Sequence, residues 1–207
     1  EITTRLVGSE MCIRDSLRSG LGGLEWMDGI PGNVGGSLRM NAGAMGRDMI
    51  RNLVSVTCLD EDGEIRSHPS GDLNAQYRSI PDLAHNFVLQ AVFEGSPCAR
   101  EEIEEKLEDA RAKRRLSQPS GASAGCIFKN PEEIPAGKLI DELGLKNACV
   151  GDACVSSVHA NFIINRGHAR ARDITILIDM IRKEAMENRG IDLKSEAQVI
   201  GDREPQF

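Results

Sequence analysis

Residues 29–46, GIPGNVGGSLRMNAGAMG, decide how the first half of this chain folds, because glycine occupies six of the eighteen positions. Pro31 rigidifies a turn, while Gly32, Gly35 and Gly36 leave the backbone without side chains. Several N–H groups can then face one concavity, which suits a phosphate group or the polar edge of a planar ring. The spacing fits neither G-x-G-x-x-G nor a Walker loop. On glycine content alone, a tight packing turn and a ligand-binding loop are equally good interpretations.

The composition indicates a globular chain. With 207 residues, 40% of them hydrophobic and 28% charged, it can bury the core of one domain or of two small ones. No run approaches about 18 consecutive apolar residues, so no membrane span is expected. The formal net charge of -7 disfavours a nucleic-acid partner, which requires a stripe of lysine and arginine. An anionic ligand would therefore need a local pocket.

The six cysteines contain no C-x-x-C pair, so neither a metal site nor a dithiol redox centre is expected. No secretory segment is visible, which makes a reducing cytoplasm the expected compartment and free thiols the expected state. Cys149 and Cys154 are interpreted as small core residues.

The first sixteen residues are set apart from the fold. Residues 7–16, VGSEMCIRDS, show no helix or strand period, and their core MCIRDS resembles a translated sequencing-library adapter. We therefore exclude residues 1–16 from the fold prediction, as one excludes a fusion scar. An ordinary polar leader is the alternative interpretation.

The first half of the remaining sequence is rich in strand patterns. Residues 17–28 suggest a helix end closed by glycines. Residues 53–69 alternate around Asp62-Gly63, which is the strongest hairpin signal in the chain. Residues 86–95 predict another strand.

The pattern changes at Pro97, where a domain boundary is expected. The pattern of residues 98–119 predicts an amphipathic helix, with acidic residues near its start and basic residues near its end. Residues 126–130 and 160–165 predict short strands, and residues 196–202 a last one. Two more helices are predicted over 136–145 and 171–190, ended by Gly144 and Gly190.

Six motifs carry a family resemblance. They are GLEWMDGIPGNVGGSLRMNAGAMG at 23–46, QYRS at 76–79, SAGCIFKNP at 123–131, AGKLIDELGL at 136–145, VSSVHANFIIN at 155–165 and EAQVIG at 196–201. In this order, over about residues 17–202, they resemble the UDP-N-acetylenolpyruvoylglucosamine reductases. The resemblance implies an α+β chain: the C-terminal part of a vanillyl-alcohol-oxidase-type FAD-binding domain at 17–96, then an α+β substrate-binding domain at 97–207.

The resemblance also implies a reaction. In this family NADPH reduces FAD, and flavin hydride reduces UDP-N-acetylglucosamine enolpyruvate to UDP-N-acetylmuramate for peptidoglycan precursor synthesis. The implied catalytic residues are Cys126 as proton donor, Arg78 as the group that grips the substrate carboxylate, and Glu196 acting across the same carbon. An ordinary thiol has a pKa of about 8.5, so it keeps its proton at neutral pH. Without the resemblance, a core cysteine, a surface arginine and a strand-end glutamate would be the better interpretations.

The resemblance assigns further contacts. Substrate-binding residues would be Tyr77, Lys129, Asn130 and His159, although a core or surface histidine fits the last position equally well. The implied cofactor-binding residues are Gly29, Ile30, Pro31, Gly32, Gly35, Gly36, Asn41, Ala42 and Gly43.

One family motif has no counterpart here. The glycine-serine-asparagine loop that wraps the flavin pyrophosphate normally precedes GIPG, and residues 1–16 contain nothing like it. We therefore expect the 207 residues to bind FAD poorly, as an N-terminally truncated reductase. The short spacing from Arg78 to Cys126 resembles the family branch without a substrate-capping loop.

Two other functions stay open from the sequence. One is an FAD-dependent oxidase of an alcohol or hydroxy acid, and the other is a flavin-free module that binds a sugar nucleotide. A monomeric, cytoplasmic protein without a metal is expected in each case.

Overall fold

The computed structural model describes residues 8–200, except for the side chain of Ser9. It has two compact units, the first ending at Arg114 and the second beginning at Arg115. This division lies later in the chain than the domain boundary predicted between residues 96 and 97, because Ile103 and Leu107 pack into the core of the first unit. Helices and antiparallel sheets occur in both units, which confirms the α+β class.

Among the residues that the structure describes, the first unit contains three helices and seven strands. The helices are α1 (Ser9–Arg18), α2 (Val34–Arg39) and α3 (Arg100–Ser117), and α3 runs past the division. The strands are β1 (Leu21–Gly22), β2 (Gly43–Ala44), β3 (Arg47–Asp48), β4 (Leu53–Leu59), β5 (Ile65–Pro69), β6 (Phe87–Phe93) and β7 (Ser96–Pro97). Short 3-10 turns cover Glu25–Met27, Met49–Asn52, Ser70–Asp72 and Pro81–Leu83.

The main sheet of the first unit is antiparallel with the order β5-β4-β6. The predicted hairpin at Asp62-Gly63 is confirmed: Leu59 pairs with Ile65, and Gly63 has a φ of 81°. Asp60 Oδ1 accepts the N–H groups of Asp62 and Glu64, which satisfies the turn. Two small antiparallel ribbons, β1-β7 and β2-β3, complete this unit.

Helix α1 corrects the prediction for residues 7–16. Residue 7 lies outside the described residues, but residues 9–18 form a helix, and Ile13 is buried in the first core. Cys12 and Leu17 pack against the same core, and Ser16 donates its hydroxyl to the Ile13 carbonyl. Positions 12, 13, 16 and 17 share one helical face, so the segment does have a helical period.

Up to residue 200, the second unit has a four-stranded antiparallel sheet and two helices. Its strands are β8 (Ser123–Cys126), β9 (Cys149–Val150), β10 (Ala153–Val155) and β11 (Phe162–Asn165), in the order β8-β11-β10-β9. Helices α4 (Ala136–Glu142) and α5 (Ala171–Arg189) bury Leu139, Ile140 and Leu177 in its core. Gly144 and Gly190 lie just beyond these helices with φ of 72° and 65°, as predicted.

Three predictions for the second unit are wrong. Cys149 and Cys154 are joined in a disulfide, not free. The chain turns at Gly151-Asp152, which places the two cysteines opposite each other on β9 and β10 with Cα atoms 4.1 Å apart. Of the strand predicted over 196–202, residues 196–200 form none, and residues 201–202 lie outside the described residues. The strand predicted over 126–130 lies earlier, at Ser123–Cys126, and beyond it Phe128 makes an isolated bridge with Ser195.

None of the helices described between residues 8 and 200 is long and apolar enough to cross a bilayer.

The burial of Ile13 gives a stability test. We expect Ile13→Ala to lower the free energy of unfolding of the first unit by about 2–4 kcal/mol, because a buried aliphatic side chain is lost. The single tryptophan, Trp26, lies in the same core and reports urea unfolding by fluorescence. Met11→Ala is the control, since Met11 lies on the same helix with 38% of its surface exposed; equal effects of the two variants would contradict packing of α1.

Candidate functional site

The glycine-rich segment has open backbone at Gly32 and then enters α2. Gly29 and Gly32 have φ of 74° and 93°, a region that favours glycine. A Cβ on Gly32 would meet nothing within 4 Å, so the backbone there is accessible. The Gly36 N–H, in contrast, donates to Asn33 Oδ1 at 2.8 Å, so that Asn33 caps the start of α2. Ile30, one of the predicted cofactor contacts, lies buried in the first core.

Asn41 ties this segment to the rest of the first unit. Its side chain is buried, and its amide nitrogen donates to Asp48 Oδ2 at 3.3 Å and to the Gln76 carbonyl at 3.0 Å. Its amide oxygen accepts the N–H of Ile50 at 3.1 Å. Both donors of this side chain are therefore used inside the protein, in a position predicted to contact the cofactor.

The structure brings Arg78 to the glycine-rich segment. Arg78 Nη2 donates to the Gly43 carbonyl at 3.0 Å, and its guanidinium carbon lies 5.0 Å from the centre of the Tyr77 ring. A Cβ at Gly43 would lie 2.7 Å from Arg78 Nη1 and 2.6 Å from the Arg47 carbonyl. Arg78 also has a φ of 56°, an uncommon value outside glycine that occurs often at functional sites.

Gly43 is therefore needed for close approach. We expect Gly43→Ala to lower the free energy of unfolding by about 1–3 kcal/mol, because the added methyl group overlaps a backbone oxygen. Urea unfolding followed by Trp26 fluorescence measures this effect. Gly71→Ala is the matched control, since a Cβ there meets nothing within 4 Å; a loss in the control as large as at Gly43 would contradict the explanation.

In the second unit, Cys126 lies at the end of β8, opposite Phe162 of β11. It is half-buried and remains a thiol. The next residue, Ile127, accepts the backbone N–H of Glu196 at 2.7 Å and that of Ala197 at 3.3 Å. Two predicted catalytic residues thus lie on directly hydrogen-bonded stretches of backbone.

The predicted substrate contacts at 129 and 130 follow in the same stretch. The Lys129 N–H donates to the Lys194 carbonyl at 2.9 Å, and its side chain is half-buried. Asn130 is exposed, but its side-chain oxygen accepts the N–H of Ala136, the first residue of α4, at 3.0 Å. This contact gives Asn130 a structural function in starting the helix.

His159 is packed beside the beginning of α4. Its ring meets Phe162 edge-on with 5.0 Å between centroids, and a Cβ on Gly137 would lie 2.8 Å from its Cε1. Burial lowers the pKa of His159, a backbone hydrogen bond raises it and nearby Lys146 lowers it further, with a net decrease. Nδ1 accepts the Asn161 N–H at 3.2 Å, so the neutral ring carries its proton on Nε2.

Two buried polar residues next to His159 were missed from the sequence. Ser156 Oγ accepts the N–H groups of Val158 and His159, which fixes the turn before β11. Asn161 bonds to the backbone of Phe128 through both ends of its amide. A signal was available, because both are polar residues next to apolar ones in the largely apolar stretch 153–164.

The sequence of this chain is similar to that of known proteins of one family. Residues 117–200 match the model of the UDP-N-acetylenolpyruvoylglucosamine reductase C-terminal domain. The reductase of that name from Syntrophus aciditrophicus is 40% identical over 194 residues, 93% of this chain and 61% of the relative. The one from Protochlamydia amoebophila is 41% identical over 197 residues, 94% of this chain and 64% of the relative.

A solved structure of a protein of this family also matches the chain. The crystal structure of UDP-N-acetylenolpyruvylglucosamine reductase (MurB) from Thermus caldophilus matches with a TM-score of 0.80 and 35% identity, over 92% of this chain and 68% of that one. The chain belongs to the UDP-N-acetylenolpyruvoylglucosamine reductase family. It spans 61% and 64% of the lengths of the two curated relatives named above.

The lowered pKa of His159 predicts how stability depends on pH. The unfolded chain takes up this proton near its ordinary pKa of about 6.5, and the native protein does so only at lower pH. Acidification below pH of about 6.5 therefore favours unfolding. We expect the NMR titration of the His159 ring to show a midpoint below 6.5, and His159→Gln to flatten the acid side of the thermal stability profile. An unchanged profile in that variant would contradict the prediction.

Proposed function

We propose that this chain takes part in the reduction of UDP-N-acetylglucosamine enolpyruvate to UDP-N-acetylmuramate, with NADPH as hydride donor and FAD as carrier. The observation that supports it is the hydrogen bond from the Glu196 N–H to the Ile127 carbonyl, which joins the Cys126 and Glu196 segments. Family membership supplies the substrate class. The named relatives carry this reductase name, and the reaction is a proposal for this chain.

FAD, when bound, supplies the hydride that reaches the methylene carbon of the substrate. The residues that would hold it are those of the glycine-rich segment, where Gly32 offers bare backbone that a Cβ would cover. Gly29 contributes a second turn with positive φ. The open backbone at Gly32 suits a flat or anionic group that approaches the main chain closely.

We assign Arg78 to the substrate carboxylate. A guanidinium can donate two parallel hydrogen bonds to a carboxylate, and it stabilises negative charge as that charge develops. The Arg78 contact with the Gly43 carbonyl limits where this side chain can move. Gly43 and Arg78 would thus connect the cofactor segment with the carboxylate of the substrate.

We assign Cys126 as the proton donor. After hydride addition, the carbon next to the carboxylate carries the negative charge and needs a proton. The Cys126 S–H bond breaks, the proton moves to that carbon, and water later reprotonates the thiolate. Glu196 acts across the same carbon, as a protonated acid or by orienting a water molecule.

The remaining candidates would contact the sugar nucleotide. Lys129 provides a cation for the diphosphate, and Tyr77, which is 51% exposed, offers an aromatic surface. Asn130 and His159 flank the first turn of α4, through the contacts to Ala136 and Gly137. The neutral His159 would donate a hydrogen bond through Nε2.

The test removes the sulfur in a complete enzyme. The part of the Syntrophus aciditrophicus relative outside the match is fused to this chain, and NADPH oxidation with the enolpyruvyl sugar is followed. We expect Cys126→Ala to lower kcat about 10²- to 10⁴-fold, the range of general acid catalysis, with less effect in Cys126→Ser. Deuterium incorporation from solvent into the lactyl carbon should slow in parallel.

Cys98→Ala is the control, because Cys98 lies in the first unit beside Glu102 and Lys106, outside the proposed machinery. Full activity in Cys126→Ala would contradict the role of the thiol. A parent fusion that binds the substrate tightly but never turns it over would instead favour the flavin-free binding module.

A further inference from the structure

Asn161 is a buried asparagine whose whole amide is committed to a single neighbouring residue. Only 2% of its surface is exposed. We infer that Asn161 is a positioning residue for Cys126: it sets the backbone that aims the thiol and, through the same backbone, the position of Glu196. The inference rests on the proposed function only for its effect on turnover.

The first step is the clamp on the residues after Cys126. Asn161 Oδ1 accepts the Phe128 N–H at 2.9 Å, and Asn161 Nδ2 donates to the Phe128 carbonyl at 2.8 Å. The Asn161 carbonyl also accepts the Ile127 N–H at 2.9 Å. Three hydrogen bonds from one residue therefore fix the two residues that follow the thiol.

The second step is the irregular strand pairing at this point. Strand β11 pairs with β8 through Phe162 and Cys126 and then through Ile164 and Ser123, with a shift of register between the two pairs. Beyond Cys126 the regular ladder ends, and the Asn161 side chain takes the place of a strand partner for Phe128. Such irregularities often redirect a side chain near a functional site.

The third step is the other edge of the clamped segment. Ile127 accepts the Glu196 N–H, and the Lys129 N–H donates to the Lys194 carbonyl. Ile127 and Phe128 are each only 1% exposed, so their polar backbone groups depend on these protein partners. Because Asn161 fixes one edge of residues 127–128, the Glu196 segment on the other edge is fixed with them.

The fourth step reaches His159. The Asn161 N–H donates to His159 Nδ1 at 3.2 Å, which sets the tautomer of that ring. Asn161 thus bonds directly to the segment after Cys126 and to His159, and it reaches the Glu196 segment through Ile127.

The experiment compares two asparagines of the same strand region. Asn161→Ala removes the two side-chain hydrogen bonds of the clamp and keeps the backbone bond to Ile127, whereas Asn161→Asp keeps the size and one acceptor but replaces the donor to the Phe128 carbonyl. Asn165→Ala is the matched control, because Asn165 Oδ1 accepts the Gly167 and Ala169 N–H groups in the loop before α5, away from Cys126. Melting temperature, kcat, KM and the solvent deuterium isotope effect are measured in the fusion enzyme.

We expect both Asn161 variants to lower kcat about 100-fold with KM changed less than about 3-fold, because a displaced thiol slows proton transfer more than substrate binding. The solvent isotope effect should rise as that step becomes rate-limiting. Asn165→Ala should lose thermal stability without a rise in the isotope effect. Equal changes in kcat and isotope effect for the 161 and 165 variants would overturn the inference, as would unchanged kcat in Asn161→Ala.

A second readout does not depend on turnover. The rate of Cys126 alkylation by iodoacetamide, followed by mass spectrometry across pH in the 207-residue chain, reports the surroundings of the thiol. We expect a shifted profile in Asn161→Ala and an unchanged one in Asn165→Ala. If the parent fusion were inactive, the proposed function would fail while this measurement still decided the positioning inference; identical alkylation profiles would overturn it.

Discussion

The candidate site depends on one backbone carbonyl, that of Ile127. It accepts the N–H groups of Glu196 and Ala197, while the N–H group of the same residue donates to Asn161. Because Ile127 is almost completely buried, water cannot replace these partners, and each lost bond would leave a polar group without compensation. The segments that follow Cys126 and begin at Glu196 are therefore held together by backbone hydrogen bonds, as the roles proposed for these two residues require.

The first unit uses a different constraint, the absence of a side chain. At Gly43 the space that a Cβ would fill is occupied by the Arg78 guanidinium and the Arg47 carbonyl. The glycine thus serves close packing, and it does so beside the arginine proposed to grip the substrate. Asn41 supports the same arrangement, since its amide joins Asp48, Gln76 and Ile50. Rigid placement of this kind reduces the reorganisation that a charged ligand would require.

Much of the fold could be predicted because local signals agree with the structure. The hairpin at Asp62-Gly63 and the helix ends at Gly144 and Gly190 follow from backbone preferences that neighbouring residues alone determine. Helix α1 was not predicted, because its apolar face, at positions 12, 13, 16 and 17, is short and the segment resembles a translated sequencing adapter. The strand predicted after Ser195 does not form for another reason. The sequence there does alternate between polar and apolar residues, but the chain pairs with Phe128 only through a single bridge at Ser195.

Within the site, residue types indicated Cys126, Arg78 and Glu196 only through the family motifs, because each alone has a common structural explanation. Asn161 could not be identified from the sequence, because its hydrogen-bond partner Phe128 lies 33 positions away. The hydrogen bond of the Asn41 side chain to the Gln76 carbonyl, 35 positions away, is of the same kind, since hydrogen bonds of long sequence separation leave no periodic pattern in the sequence.

The two cysteines of the disulfide at the edge of the second sheet differ in how accessible they are to an external thiol. Cys149 is exposed, whereas Cys154 is only 3% exposed and lies in the middle of β10. An external thiolate can therefore reach the sulfur of Cys149 and not that of Cys154, so thiol exchange forms the mixed disulfide at 149 and expels the inner sulfur as the leaving group. The incoming molecule would then be attached to β9, and the released thiol would stay within the sheet, positioned to reverse the exchange.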